Sequence, residues 1–187
     1  MSGDAPKIRV VFDCMMFLQG AARREGATGA CLGLLELNAI GLYVSQEIMA
    51  EVRDVLARPP VRQRFPALTD QIIDRFLVAL KERAIVVSEV PRVFQFDRDP
   101  KDEPYINLAI AAIANYLVSW DKDILDLADT STPHGERLRR QAPELEIVEP
   151  PCLPCGGPQK ARSHAAKARR KHRRVVARRR SEGRDGV

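Results

Sequence analysis

Asp13 follows the apolar run IRVVF, Glu51 lies within SQEIMAEVRDVL, Asp102 opens DEPYINLAIAA, and Asp121 follows YLVSW. All four acids stand at the edges of hydrophobic segments. Carboxylates crowd together only where something cationic offsets their repulsion, and hard divalent ions favour oxygen ligands. Gathered in one place, these acids would bind one or two such ions. The ions activate water and stabilise charge on a leaving oxygen, which is the chemistry of phosphodiester hydrolysis. Singly, each acid has a plainer explanation. An Asp after a strand is often a turn former or cap, Asp102 suits a plain N-cap, and a helical Glu usually faces solvent. Order and context decide between the two.

The elements that must position these acids alternate. Ile8–Phe12 is a β-branched run suited to a strand buried on both faces. A helical stretch near Gly29–Asn38 ends before Gly41, and Leu42–Val44 reads as a short strand. Ser45 caps a helix with Ile48, Val52 and Leu56 on one stripe, closed by Pro59 and Pro60. Thr69 caps a further helix to Lys81, striped by Ile72, Phe76 and Leu80. Ala84–Val87 returns as a strand and residues 88–101 connect. A helix over Asp102–Ala114, a strand at Tyr116–Val118, a short helix over Lys122–Ala128 and a strand at Leu145–Val148 complete the pattern. Such alternation predicts an α/β fold, an α/β/α sandwich around a central, mainly parallel sheet. Asp13 and Asp121 both follow strands, where open α/β sheets bind ligands. Asp102 falls in the first turn of a helix, whose dipole favours an anion.

Charge divides the 187-residue chain. Residues 151–187 hold 12 Lys and Arg against Glu182 and Asp185, a net +10, which leaves −5 for residues 1–150 of the chain's +5. Three segments follow: a domain over 6–149, a Pro/Gly linker over 150–159 (PPCLPCGGPQ), and a basic tail over 160–187 expected to be flexible or helical on binding. Dense Lys and Arg draw phosphates without needing sequence specificity. The start, MSGDAPKIRV, lacks a secretory signal's apolar core, and no run approaches a membrane span. A cytoplasmic protein with reduced thiols is therefore expected, without membrane contact. Cys14 and Cys31 read as small core residues. Cys152, Cys155, His164 and His172 are spaced C-x2-C-x8-H-x7-H, unlike structural zinc sites, so the two cysteines read as linker residues.

VVFD at the start, S-x-x-I-x-x-E over 45–51, and DPKDEPYINLAIAAIANYLVSWDKDILDL over 99–127 occur together and in this order. On these motifs residues 8–128 resemble a PIN domain, in particular the PIN proteins of bacterial toxin–antitoxin pairs. The resemblance implies a Mg²⁺- or Mn²⁺-dependent ribonuclease leaving a 5′-phosphate and a 3′-hydroxyl. Asp13, Glu51, Asp102 and Asp121 would be its catalytic and metal-binding acids, with Asp123 as an auxiliary metal-binding acid and Asp99 a further candidate. On the chemistry above, Asp13 would anchor the ion, Asp102 and Asp121 complete its shell, and Glu51 orient or deprotonate the water. RNA, an antitoxin protein and a second copy of the chain are the implied partners. Two positions depart from the family pattern: Met15 stands where a small polar residue is usual, and Trp120 where Gly is frequent.

Two other readings compete. A module that keeps the fold but not the activity, binding RNA or regulating, is motivated by Met15 and the basic tail. A phosphotransfer receiver also places Asp residues at strand ends, but it needs a Lys after a later strand. Glu149-Pro150 follow the last strand here, which argues against it.

Overall fold

Five short strands form one sheet in the order β3-β2-β1-β4-β5, every neighbouring pair parallel. They are β1 (Arg9–Phe12), β2 (Gly41–Ser45), β3 (Ile85–Val87), β4 (Tyr116–Val118) and β5 (Glu146–Val148). The computed structural model describes residues 8–23 and 25–150, so the linker and tail beyond Pro150, with Cys152, Cys155, His164 and His172, lie outside the described residues. Burial follows position in the sheet. Val10, Val11 and Phe12 of β1 and all of β4 are buried, whereas Ile85 and Val86 on the β3 edge are exposed. Parallel central strands covered on both faces read as continuous apolar runs for this reason.

Helices fill the crossovers: α1 (Cys14–Ala22), α2 (Gly26–Glu36), α3 (Gln46–Ala57), α4 (Pro59–Arg64), α5 (Asp70–Arg83), α6 (Glu103–Ala111), α7 (Lys122–Asp126) and α8 (Pro133–Gln141). α1, α3 and α5 pack on one another, while α6 crosses β1, β2 and β4. The chain steps from β1 outward through β2 to β3, then returns to β4 on the other side of β1. The order reverses between β1 and β4. In doubly wound sheets the ligand crevice opens beyond the carboxyl ends of the strands at that reversal, and Asp13 and Asp121 follow those two strands.

Several local expectations shift. Ser45 caps α3 by accepting from the Ile48 N–H, and Ile48, Val52 and Leu56 are buried as the stripe predicts. Pro59 and Pro60 end α3 but also begin α4, where a first-turn proline forfeits no hydrogen bond. Thr69 caps α5, yet its buried stripe is Ile73, Leu77 and Leu80, not Ile72, Phe76 and Leu80. Adjacent isoleucines make those two registers alike in sequence. The helix after Asp102 stops at Ala111, because Ile113 takes φ +48° and the Ala114 N–H reaches back to the Ala109 carbonyl. Two helices carried no clear signal. α1 (CMMFLQGAA) is apolar nearly all round, and α8 (PHGERLRRQ) is polar but for Leu138.

The segment from Val93 to Asp102, which carries three charged residues of the acid cluster, is fastened from behind by a buried amide. Asn107 Oδ1 accepts from the Val93 and Phe94 N–H groups at 2.9 and 2.8 Å, and its Nδ2 donates to the Phe94 and Glu103 carbonyls at 2.9 and 3.0 Å. Glu103 adds a bond from the Phe96 N–H at 2.7 Å. Asn107→Ala should therefore cost about 2–4 kcal/mol by leaving buried backbone groups unpaired, read as a lower urea midpoint with an unchanged m-value.

Candidate metal centre

Asp13 is 3% exposed, the first residue past β1, and its two carboxylate oxygens have different partners. Oδ1 accepts from the Met16 N–H at 2.9 Å, which caps α1. Oδ2 accepts from the Ser119 hydroxyl, and the Trp120 backbone also faces the carboxylate. Burial nevertheless dominates and raises the Asp13 pKa above the usual carboxylate value, against the lowering effect of those donors. Ser119 is fully buried, and its Oγ also accepts from the Asp121 N–H at 2.7 Å. One hydroxyl thus ties the Asp13 side chain at the end of β1 to the Asp121 backbone beyond β4. Asp121 Oδ1 accepts from the Asp123 N–H at 2.7 Å and caps α7.

Asp102 differs from both. It precedes α6 but does not cap it; Asp99 performs the local turn, accepting from the Lys101 N–H at 3.0 Å. Asp102 Oδ2 is buried and meets no hydrogen-bond donor. Its carboxyl is pushed up to about 7, first by burial and then by the charges of Asp121, Asp99, Asp13 and Asp123. Four acids from three segments therefore act on a fifth. Asp123 has a cation of its own: Arg98 pairs with it at 2.5 Å and with Asp126 at 3.2 Å. Arg98 was not anticipated from the sequence, because a lone Arg in a connecting segment carries no pattern.

Glu51 stands apart from that group and joins it through two side chains. The buried Tyr105 hydroxyl donates to Glu51 Oε2 at 2.8 Å. Cys14 is half-buried beside both of them and beside Asp13, and burial and the Glu51 charge push its thiol up to about 11. The thiol is thus a neutral member of the site wall. This corrects the expectation that Cys14 is simple core, whereas Cys31 is buried. Tyr105 and Asn107 also escaped the sequence reading, and Ser119 entered it only as part of the 99–127 motif, since a buried polar residue in an apolar run signals itself only when its partners are known.

Among the described residues no three His, Cys, Asp or Glu side chains already form a ligand cage. The charges of Asp13, Asp99, Asp121 and Asp123 reach Asp102, but Asp13, Asp121 and Asp123 each lean on a donor of the chain. The donor set suits a hard cation all the same. A buried, donorless oxygen of Asp102 amid four carboxylates is a place where only added positive charge, a proton or a metal ion, satisfies the chemistry. A sequence model of the PIN domain matches residues 9–123. The chain belongs to the PIN-domain family. PIN domains are in general nucleases and typically use divalent metals, and the parallel α/β/α sheet of this chain is the fold expected of one. No curated protein and no solved structure matches the chain.

Two outcomes follow for the PIN domain's stability. The folded-state pKa of Asp102, about 7, lies above the ordinary value of 3.8. Its ionisation therefore opposes folding: the penalty is absent below about pH 4, grows as pH rises, and is complete above about pH 7. In EDTA, Asp102→Asn should then stabilise the protein by about 1–2 kcal/mol at about pH 8, after allowance for partial solvent screening, and by nearly nothing at about pH 4. Urea melts at the two pH values check this, and equal effects at both would contradict it. Ser119→Ala should cost about 2–3 kcal/mol in the same melts, because it strands a buried Asp13 oxygen and the Asp121 N–H.

Proposed function

We propose that this protein is a divalent-metal-dependent endoribonuclease, the toxin half of a toxin–antitoxin pair. The observation that carries the reading is the donorless Asp102 oxygen, surrounded by the charges of Asp13, Asp99, Asp121 and Asp123 at the sheet's reversal point. Asp13, Asp102 and Asp121 would hold Mg²⁺ or Mn²⁺, with Glu51 at the periphery and Asp123 as an auxiliary acid restrained by Arg98. Such an ion supplies Lewis acidity toward both the phosphate and water.

The chain's own groups do the remainder. Tyr105 engages one Glu51 oxygen and leaves the other to orient the attacking water and accept its proton. Water adds to phosphorus, the 3′ oxygen departs and takes a proton from solvent, and a 5′-phosphate and a 3′-hydroxyl result. The Ser119 bridge keeps Asp13 and Asp121 in fixed relation through the cycle. The net +10 of residues 151–187 draws the RNA backbone toward a domain whose own net charge is −5. The toxin assignment, an antitoxin partner, a homodimer and a cytoplasmic setting rest on the resemblance of the 45–51 and 99–127 motifs. Among the described residues no helix is long and apolar enough to cross a membrane. A second reading, an RNA-binding or regulatory module without turnover, is favoured by Met15, 42% exposed where the family usually has a small polar residue.

Cleavage of a mixed-sequence RNA by the full chain tests the choice. Mg²⁺ or Mn²⁺ should support cutting, EDTA should abolish it, and Asp13→Asn or Asp102→Asn should each slow it at least about a hundredfold. Equal cutting by Asp102→Asn and wild type would sink the metal-site reading. RNA binding that depends on residues 158–187, with no turnover under any divalent ion, would establish the second.

A further inference from the structure

Trp120 is the chain's one tryptophan, set between the buried Ser119 and Asp121. Its side chain is 38% exposed, but its edge is fixed. The indole N–H donates to the Thr28 hydroxyl at 3.4 Å, and Thr28, 4% exposed, donates in turn to Gln19 Oε1 at 3.0 Å and lies 3.7 Å from Met16 Sδ. Trp120 is therefore an indole anchored to α1 and α2 with part of its surface left open. A second open apolar side chain, Met15, stands two residues past Asp13.

The proposed metal ion and the basic tail attract phosphates, while Arg98 beside the acid cluster is already paired with Asp123 and Asp126. A base at this place can be held by an attraction that does not depend on charge. Base stacking on an aromatic ring supplies one that is indifferent to sequence. A ring already held in place loses little freedom on stacking. We infer that Trp120 is a stacking platform for a base next to the scissile phosphate. In a duplex the bases are stacked on each other and do not reach it. The inference rests on the nuclease reading and adds a residue that holds a base beside the cut.

With one tryptophan, intrinsic emission reports this position alone. Full-length Asp102→Asn protein in Mg²⁺ is titrated with a fluorescein-labelled, mixed-sequence RNA 12-mer, single-stranded or annealed to its complement. Anisotropy of the label reads all binding, including any through the basic tail. The single strand should quench Trp120 emission and the duplex should bind while leaving it unchanged. Trp120→Ala should lower kcat/KM on the single strand at least about fivefold, and Trp120→Phe should restore most of that loss. Unchanged emission while anisotropy reports single-strand binding would overturn the inference. So would equal quenching by the duplex, or Trp120→Ala cutting as fast as wild type. Quenching by the single strand without cleavage by wild type in Mg²⁺ or Mn²⁺ would remove the nuclease reading while upholding the stacking contact.

Discussion

The Ser119 hydroxyl donates a hydrogen bond to Asp13 and accepts one from the Asp121 N–H, so a single buried group joins two acids 108 positions apart. The sheet depends on the same neighbourhood. The Asp13 N–H continues the β1–β4 pairing to the Val118 carbonyl at 3.1 Å, and the Ser119 N–H reaches the Val148 carbonyl on β5 at 3.1 Å. Three strand ends therefore converge on one serine. Asp102 is delivered to the same neighbourhood by the Asn107-pinned segment.

Pinning acids in this way opposes stability, and the structure shows where the opposition is absorbed. Asp13 has three donors for its buried carboxylate and still titrates above the ordinary range. Asp102 has an oxygen with no donor, and burial and the neighbouring charges push its carboxyl up to about 7. Asp123 has Arg98. The unrelieved cost thus falls mainly on one residue, as expected where a site is kept for chemistry and not for folding strength.

Much of this organisation was legible in the sequence, for identifiable reasons. The central strands announced themselves as β-branched runs, the caps Ser45 and Thr69 as hydroxyls before amphipathic stripes, and the acids as carboxylates at segment edges. What stayed hidden shares a cause. α1 and α8 are uniform in polarity, so periodicity had nothing to detect; the register of α5 turned on which of two adjacent isoleucines faced inward. Ser119, Tyr105, Asn107 and Arg98 act through partners 13 to 106 positions distant or in irregular segments. Spacing identifies such residues only when a family motif already includes them, as the S-x-D of residues 119–121 does.

The strand order also sets a timetable. β1 and Asp13 leave the ribosome early, but β4, Ser119 and Asp121 follow only after β2, β3 and the helices between them. A chain made from its amino terminus cannot close the Asp13–Ser119 contact until most of the domain exists. Each nascent copy is thus without an assembled acid cluster for most of its own synthesis, a delay written into the topology.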